Sequence, residues 1–367
     1  KYQVHCICTY SNNENYKRSF WGESSVKDFV AFLSEIFWDR NLKNQKVYFY
    51  SFNGARFDNA FLLKPLLQQF YGKVEIVGNI QDIKAMIVGE RMFFYDLRLI
   101  LTRGSLNDLS KSLLKNEIKM DFNIMEYVYD IAKFEGAKNE IIKYCFQDCY
   151  LVLLLVENLF KFFFDFLNDL KLTKKKFEIF HPTLSLLALN LWKTITNNTF
   201  AILEGVSNLE YYEKIKSSYK GGMCLNITKY KKGPIFHYDI VSSYPFIMKS
   251  YAMPIKIKEK KQYFPAISKP PNNCTFNSYT IYKTRFKFKD SLHVPYFPLK
   301  TKGGGLIYPL SNFEDKEPTW IWGDELNFGI THHLEKISIE EEISFESKSI
   351  FSEYIEILFK ARLEAIK

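Results

Sequence analysis

The most apolar stretch of the chain covers residues 150–166, and Glu157, Asn158, Lys161 and Asp165 interrupt it. A bilayer span needs about 20 nearly uncharged residues in a row, so these four polar side chains argue against one. On a helical period they leave an apolar face intact, which predicts a long helix over residues 139–170 with one side buried. Upstream, residues 3–9 and 47–52 read as β-rich runs.

From residue 1 to about 172 strand-like and helix-like patterns alternate, the signature of an α/β fold. A hairpin is expected across residues 83–96, where two apolar runs flank Gly89-Glu90, and a short helix after Ser105 as its N-cap. Lys174, Lys175 and Lys176 mark an exposed joint, which places a boundary near residue 173. A helical stretch at 182–195 and a polar segment through Asn208 follow. After Gly233 strands dominate, the clearest at 235–240, and a basic, proline-bearing stretch at 256–302 suits a β-rich insertion. A chain of 367 residues has room for two or three domains.

The formal net charge is +9, carried by 42 Lys against 8 Arg. Compact ammonium groups of this kind suit phosphate contacts, although an AT-rich coding genome also explains an excess of Lys, Asn, Ile, Phe and Tyr. The sign of the charge remains compatible with nucleic acid. Cys6, Cys8, Cys145, Cys149, Cys224 and Cys274 include no CxxC pair, so neither a disulfide framework nor a zinc ribbon is expected, and a reducing compartment is. The sequence opens on Lys1 in mid-pattern and ends on FKARLEAIK inside a helical pattern, so both ends are expected to be cut.

Four segments carry chemistry. In YFYSFNGARFDNAFLL a strand runs through Asn53 into a helix, and Asp58 in its first turn is placed rigidly enough to bind a divalent ion. Read alone, Asp58 equally complements a helix dipole. In KYCFQDCY, Tyr144 and Asp148 share one helix face, as a phenol and a carboxylate must to orient a water and a metal for attack on a phosphodiester. An ordinary amphipathic face has the same spacing. In SSYKGGMCLNI, Tyr219, Lys220, Gly221 and Gly222 offer charge and a backbone open to a phosphate chain, or a plain turn. In HYDIVSSYPFIM, Asp239 ends a strand that leads through Val241, Ser242 and Ser243 to Tyr244 and a helix. An acid there would anchor Mg²⁺ for phosphoryl transfer, with Tyr244 placed to pack under a nucleotide sugar, or else would cap an ordinary strand-turn-helix joint.

Taken together and in this order, the segments resemble the family B DNA polymerases of the protein-primed type. The resemblance implies an α/β fold with an RNase H-like 3′-5′ exonuclease domain at 1–172 lacking its first strand motif. A linker with the YxGG-type element would span 173–233, and the beginning of a polymerase palm 234–367. Within the palm it implies an insertion at about 255–345 and the start of the fingers at about 346–367. Asn53 and Phe57 would lie near a single-stranded 3′ end, with Asp58 and Asp148 on metal and Tyr144 orienting the attacking water. SLNDL resembles the family's SLxxL segment, so Ser105 and Leu106 would touch the edited strand. Lys119 in IKMDF would be the catalytic-site lysine, with Lys115 close by as the alternative. Tyr219, Lys220, Gly221 and Gly222 would contact template DNA. Asp239 and Val241 would hold metal, and Tyr244, Ser242 and Ser243 the nucleotide, with Ser243 standing where many members have Leu. WIWGDELNFGI is similar to the end of the insertion that grips a terminal protein.

What the resemblance implies is a template-directed DNA polymerase with proofreading. Two Mg²⁺ or Mn²⁺ ions would serve each active site, and the partners would be template and primer DNA, dNTPs, a terminal protein primer and no membrane. A DxE strand upstream, an NSxYG motif and a second palm Asp downstream would complete the two sites, so the piece alone is expected to be inactive. A mitochondrial genome or linear plasmid is the expected setting, with a virus as the alternative. The rival readings are a stand-alone 3′-5′ exonuclease and a non-catalytic DNA-binding relic.

Overall fold

The computed structural model describes residues 3–102, 104–114, 117, 119–127, 129–172, 177, 179–197, 209–223, 232–234, 236–269, 275–301, 303–313 and 316–366. Lys115, the joint at Lys174, Lys175 and Lys176, Ile235, Cys224 and Cys274 lie outside the described residues. The chain forms two compact units, Lys1–Ile195 and Thr196–Lys367. The first therefore extends well past the boundary expected near residue 173. Part of the reason is Phe180, whose ring stacks on Tyr48 at 3.9 Å between centroids and caps one face of the first unit's sheet.

In the first unit β1 (Cys6–Thr9) pairs antiparallel with β2 (Arg18–Trp21), and α1 (Ser25–Trp38) follows. Next come β3 (Val47–Ser51), α2 (Asp58–Gln69), β4 (Val74–Asn79), β5 (Asp82–Val88) and β6 (Met92–Asp96). These four strands form a mixed sheet in the order β3-β6-β5-β4, with β3 and β6 parallel and the other pairs antiparallel. All five residues of β6 are buried, which is why its first four, Met92 to Tyr95, form a continuous apolar run with no alternation: both of its faces are covered. Phe29, Leu33 and Phe37 of α1 and Leu66 of α2 cover one face, meeting Met86, Met92 and Phe94. The β5–β6 hairpin turns at Gly89 and Glu90, both at positive φ, the sign that matches the twist of a tight hairpin.

Three helices follow: α3 (Leu106–Leu113), α4 (Ile131–Gly136) and α5 (Lys138–Asp169). Ser105 caps α3 in a reciprocal box with Asp108. On α5 Leu151, Val152, Leu155 and Val156 are buried against Leu97 and Leu106, while Glu157, Asn158, Lys161 and Asp165 all face solvent. None of the described helices is long and apolar enough to cross a membrane. The helix α6 (Leu184–Thr196) follows and buries Leu187, Leu191 and Trp192.

One buried carboxylate shapes the loop between β3 and α2. Asp96, 1% exposed at the end of β6, accepts from the backbone N–H of Asn53 at 2.8 Å, Ala55 at 3.1 Å and Arg98 at 2.9 Å. Asn53 is held at φ 70°, and its side-chain oxygen accepts from Arg98 Nη1 at 3.2 Å. A charged acceptor shared by three amides is well suited to fixing a backbone that an L-residue would otherwise avoid.

The second unit carries α7 (Leu209–Ser218), α8 (Ser243–Ser250), β7 (Met253–Lys269), β8 (Thr280–Phe288), β9 (Leu299–Lys300) and β10 (Leu306–Ile307). After these come β11 (Thr319–Trp322), α9 (Gly323–Thr331), β12 (Leu334–Lys348) and α10 (Ser352–Ile366). An antiparallel sheet in the order β11-β8-β12-β7 is the centre of this unit, with Phe286, Phe288, Ile337 and Ile339 packed beneath Leu326 of α9. From α7, Tyr211 and Ile215 lie against Trp320 and Ile343, and Lys214 reaches the buried Glu341 at 2.6 Å. Just past α7, Lys220 donates from Nζ to Thr319 Oγ1 and the Trp320 carbonyl, both at 2.9 Å. Burial lowers its pKa to about 8, with Glu325 opposing the shift and Lys300 adding to it.

The strand expected at 235–240 is a correction. Residues 236–240 form no ladder with any described strand, and Phe236, Tyr238 and Ile240 are 74%, 88% and 76% exposed. Their alternation has the period of a strand, but strand structure also requires a neighbour to take up the backbone N–H and C=O groups.

Two outcomes follow. Asp96→Ala strips the acceptor from three amides and should cost about 3 kcal/mol or more in urea unfolding, with Asp96→Asn, which keeps one acceptor oxygen, costing less. For Lys220 the folded pKa lies below that of the unfolded chain, so the unfolded state binds more protons between them. Stability should therefore gain with rising pH from about 8 to the ordinary lysine value. Lys220→Met should abolish that gain in unfolding midpoints measured across the window, and an unchanged pH slope would refute the assignment.

Candidate active sites

Asp58 of the first unit is placed by the turn that Asp96 holds. Asp58 is the first residue of α2 and is exposed, although the protein packed around it partly desolvates its carboxyl. That desolvation, then the neighbouring Asp96 carboxylate and Cys145, push its pKa above the usual carboxylate range. Gly54 is required here: a Cβ would stand 2.1 Å from Ser51 Oγ and 3.2 Å from Asp58 Oδ2. Phe57, next to Asp58, projects outward at 58% exposure.

Lys119, Tyr144 and Asp148 come together although the first lies far from the others in sequence. Lys119 Nζ is 2.9 Å from Asp148 Oδ2 and 4.9 Å from the centre of the Tyr144 ring. Burial raises the pKa of Asp148 by more than the Lys119 hydrogen bond lowers it. For Lys119 burial works against the charge, but Asp148 and then Tyr144 outweigh it and hold the ammonium above its ordinary value. The second carboxylate oxygen, Asp148 Oδ1, is buried with no hydrogen-bond partner. A buried anionic oxygen without a donor is costly unless a cation meets it, so this donor set fits a divalent ion.

Other expected residues are placed differently. Leu106, read as touching a DNA strand, is 7% exposed and packs with Leu151 and Leu155, so its side chain serves the core. Ser105 is exposed, but its hydroxyl is engaged with Asp108, at 2.7 Å to Oδ2. Lys220, read as a phosphate contact, turns its ammonium onto β11, whereas Tyr219 is 79% exposed and Gly221 and Gly222 lie in open space.

In the second unit Asp239 and Val241 are exposed just before α8. Ser243 N donates to the Ile240 carbonyl at 3.3 Å, closing a turn in which Ser242 adopts φ 54°, and Phe246 N donates to the Ser242 carbonyl at 2.9 Å. Asp239 is thus delivered at the head of a helix, with Tyr244 one turn on and 84% exposed. Arg362 of α10 donates to Ser242 Oγ at 3.4 Å, and Ser352 Oγ to the Lys249 carbonyl at 2.6 Å.

Sequence reasoning missed Asp96, Arg98 and Arg362. An Asp at a strand end followed by a turn, as in YDLR, was the available signal for the first two. It also missed the convergence of Cys6, Cys8 and Cys145, whose sulfurs all lie within 4.8 Å of one another. Cys145 is held below the ordinary thiol range by hydrogen bonds from Cys149, then Cys6 and Cys8, and Cys6 is pushed up to about 12, chiefly by Cys145.

This chain is similar to several known proteins. The family model for DNA polymerase type B, organellar and viral, matches residues 112–367. A probable DNA polymerase of Neurospora intermedia is 28% identical over 258 residues, 67% of this chain and 25% of that protein. The phi29 DNA polymerase complexed with primer-template DNA and incoming nucleotides gives a TM-score of 0.62 at 17% identity, covering 96% of this chain and 63% of that one. The same enzyme with single-stranded DNA gives 0.57 at 16%, covering 96% and 62%. At that identity the likeness establishes the fold, and the chain spans about a quarter of the curated relative's length and under two thirds of the phage enzyme's. With most of its length matched by the family model, this chain belongs to the organellar and viral type B DNA polymerases.

Proposed function

We propose that this chain forms part of a protein-primed, template-directed DNA polymerase with a 3′-5′ proofreading exonuclease, in which each unit contributes residues to a different two-metal site. The observation that carries the editing half is the meeting of Lys119, Tyr144 and Asp148, with Asp148 Oδ1 left for a cation. Mg²⁺ or Mn²⁺ at such a site supplies charge neutralisation for phosphoryl transfer. Asp58 and Asp148 would hold the ions, and the Tyr144 hydroxyl would orient the attacking water. Lys119 would keep Asp148 ionised while steadying negative charge at the cleaved phosphate. Asn53 and the exposed Phe57 ring would receive the unpaired 3′ end, the ring by base stacking.

For synthesis, Asp239 and the Val241 carbonyl would hold metal, Ser242 and Ser243 would take the triphosphate, and Tyr244 would pack under the incoming sugar. Arg362, close to Ser242, adds positive charge where a triphosphate would lie. The exposed backbone at Tyr219, Gly221 and Gly222 would follow the template strand. The partners of the whole protein would be template and primer DNA, dNTPs and a terminal protein. Its setting would be a mitochondrial genome or linear plasmid, or a virus. We further propose that this span alone neither polymerises nor edits, since the family resemblance calls for a second palm carboxylate and DxE carboxylates in addition to Asp239, Asp58 and Asp148.

Primer extension and 3′ trimming by the polymerase that contains this chain separate the two halves. Asp239→Ala should abolish extension and leave trimming, while Asp58→Ala or Asp148→Ala should lower trimming by a hundredfold or more, about 2.7 kcal/mol, and spare extension. Retained extension in Asp239→Ala would overturn its assignment. Trimming without extension in the unaltered protein would favour a stand-alone exonuclease, and absence of both a DNA-binding relic.

A further inference from the structure

β1 and the middle of α5 bring four thiols to one place in the first unit. Cys6 and Cys8 stand two apart on β1 and so share one face of the strand. Cys145 and Cys149 stand four apart on α5 and share one stripe of the helix. Cys6 and Cys8 have their sulfurs 4.0 Å apart, and all three of the Cys6, Cys8 and Cys145 sulfurs fall within 4.8 Å of one another. Cys149 Sγ donates to the Cys8 carbonyl at 3.3 Å, so its thiol is directed at the same strand. All four are free thiols, and all are partly buried.

We infer that Cys6, Cys8 and Cys145, with Cys149 as the fourth donor, form a mononuclear site for a thiophilic divalent ion, Zn²⁺ foremost, that ties β1 to α5. Tetrahedral Zn–S bonds of about 2.3 Å place the sulfurs about 3.8 Å apart, so the observed spacing needs only a slight contraction. Cys149 completes the set by swinging its sulfur from the Cys8 carbonyl. Such close sulfurs suit one ion, since the thiolates of a four-iron cluster each bind a different iron and stand farther apart, and those of a two-iron cluster fall into two separated pairs. The surroundings are already built to hold the two elements together. Tyr10 and Tyr150 have ring centroids 5.3 Å apart, and Asn12 Nδ2 donates to Glu157 Oε1 at 2.6 Å. An all-sulfur set also separates this site from the oxygen donors of Asp58 and Asp148, which favour hard ions.

Reduced full-length chain titrated with Co²⁺ alone provides the test. One equivalent should bind with sulfur-to-cobalt charge-transfer bands and tetrahedral visible bands, be displaced stoichiometrically by Zn²⁺, and raise the thermal unfolding midpoint. Cys145→Ser and Cys8→Ser should each weaken Co²⁺ binding at least tenfold. Asp58→Asn/Asp148→Asn should leave the spectrum unchanged, so failure of this site and failure of the proposed editing site read out separately. Should the cysteine variants not fold, the spectrum of the unaltered chain still decides. Absence of thiolate charge transfer, its loss in the aspartate double variant, its persistence at full affinity in folded Cys145→Ser, or a native cystine among these residues would each overturn the inference.

Discussion

Three backbone N–H groups converge on the carboxylate of Asp96, and the geometry of the acidic site depends on that convergence. Asn53 at φ 70° is a conformation that a chain leaves readily unless something fixes it, and the tight packing at Gly54 beside it leaves no room for a Cβ. Fixing this loop sets where the first turn of α2, and with it Asp58, begins. Asp96 also contributes a negative charge beside Asp58, which with crowding raises that residue's affinity for positive charge. One buried group therefore sets both the position and the electrostatics of its neighbour. Its environment is possible because β6 is covered on both faces, leaving the backbone amides as its nearest polar partners.

The second unit obeys a different constraint. Its sheet is antiparallel throughout and rests on alternating positions such as Phe286 and Phe288, or Ile337 and Ile339, and buried polarity is met by partners such as Lys214 with Glu341. Against that well-satisfied sheet, residues 236–240 and the head of α8 stand out. Phe236, Tyr238, Ile240, Val241 and Tyr244 are all more than 70% exposed around Asp239.

This difference explains what could be read from the sequence. Runs whose burial follows from their own pattern were legible: the polar breaks of α5, the Gly89-Glu90 turn and the Ser105 cap each report a local requirement. So were motifs of fixed spacing, since Tyr144 and Asp148 share a helix face by arithmetic. Features set by tertiary partners were not legible. Leu106 lies in a motif read for DNA contact and is claimed by the core, and Lys220 points to phosphate by type but is bound by β11. Residues 236–240 carry the pattern of a strand without its pairing. Asp96 was hidden for a further reason: its role is to hold backbone atoms, which leaves no mark on the side chains of its partners.

Helix α5 shows how closely structural and chemical demands are interleaved. Tyr144 and Asp148 occupy one stripe, and Cys145 and Cys149 the stripe next to it, one residue or about 100° around the axis. Rotation of the helix about that axis would carry Asp148 away from Lys119 and the cysteines away from β1 together. The contacts between β1 and the cysteine stripe therefore set the angle at which the Tyr144–Asp148 stripe faces Lys119. A thiolate at Cys145 also raises the proton affinity of both Asp58 and Asp148. Neutralising that sulfur would relieve the repulsion on two carboxylates proposed to bind ions, so the packing stripe bears on the chemistry through charge as well as through position.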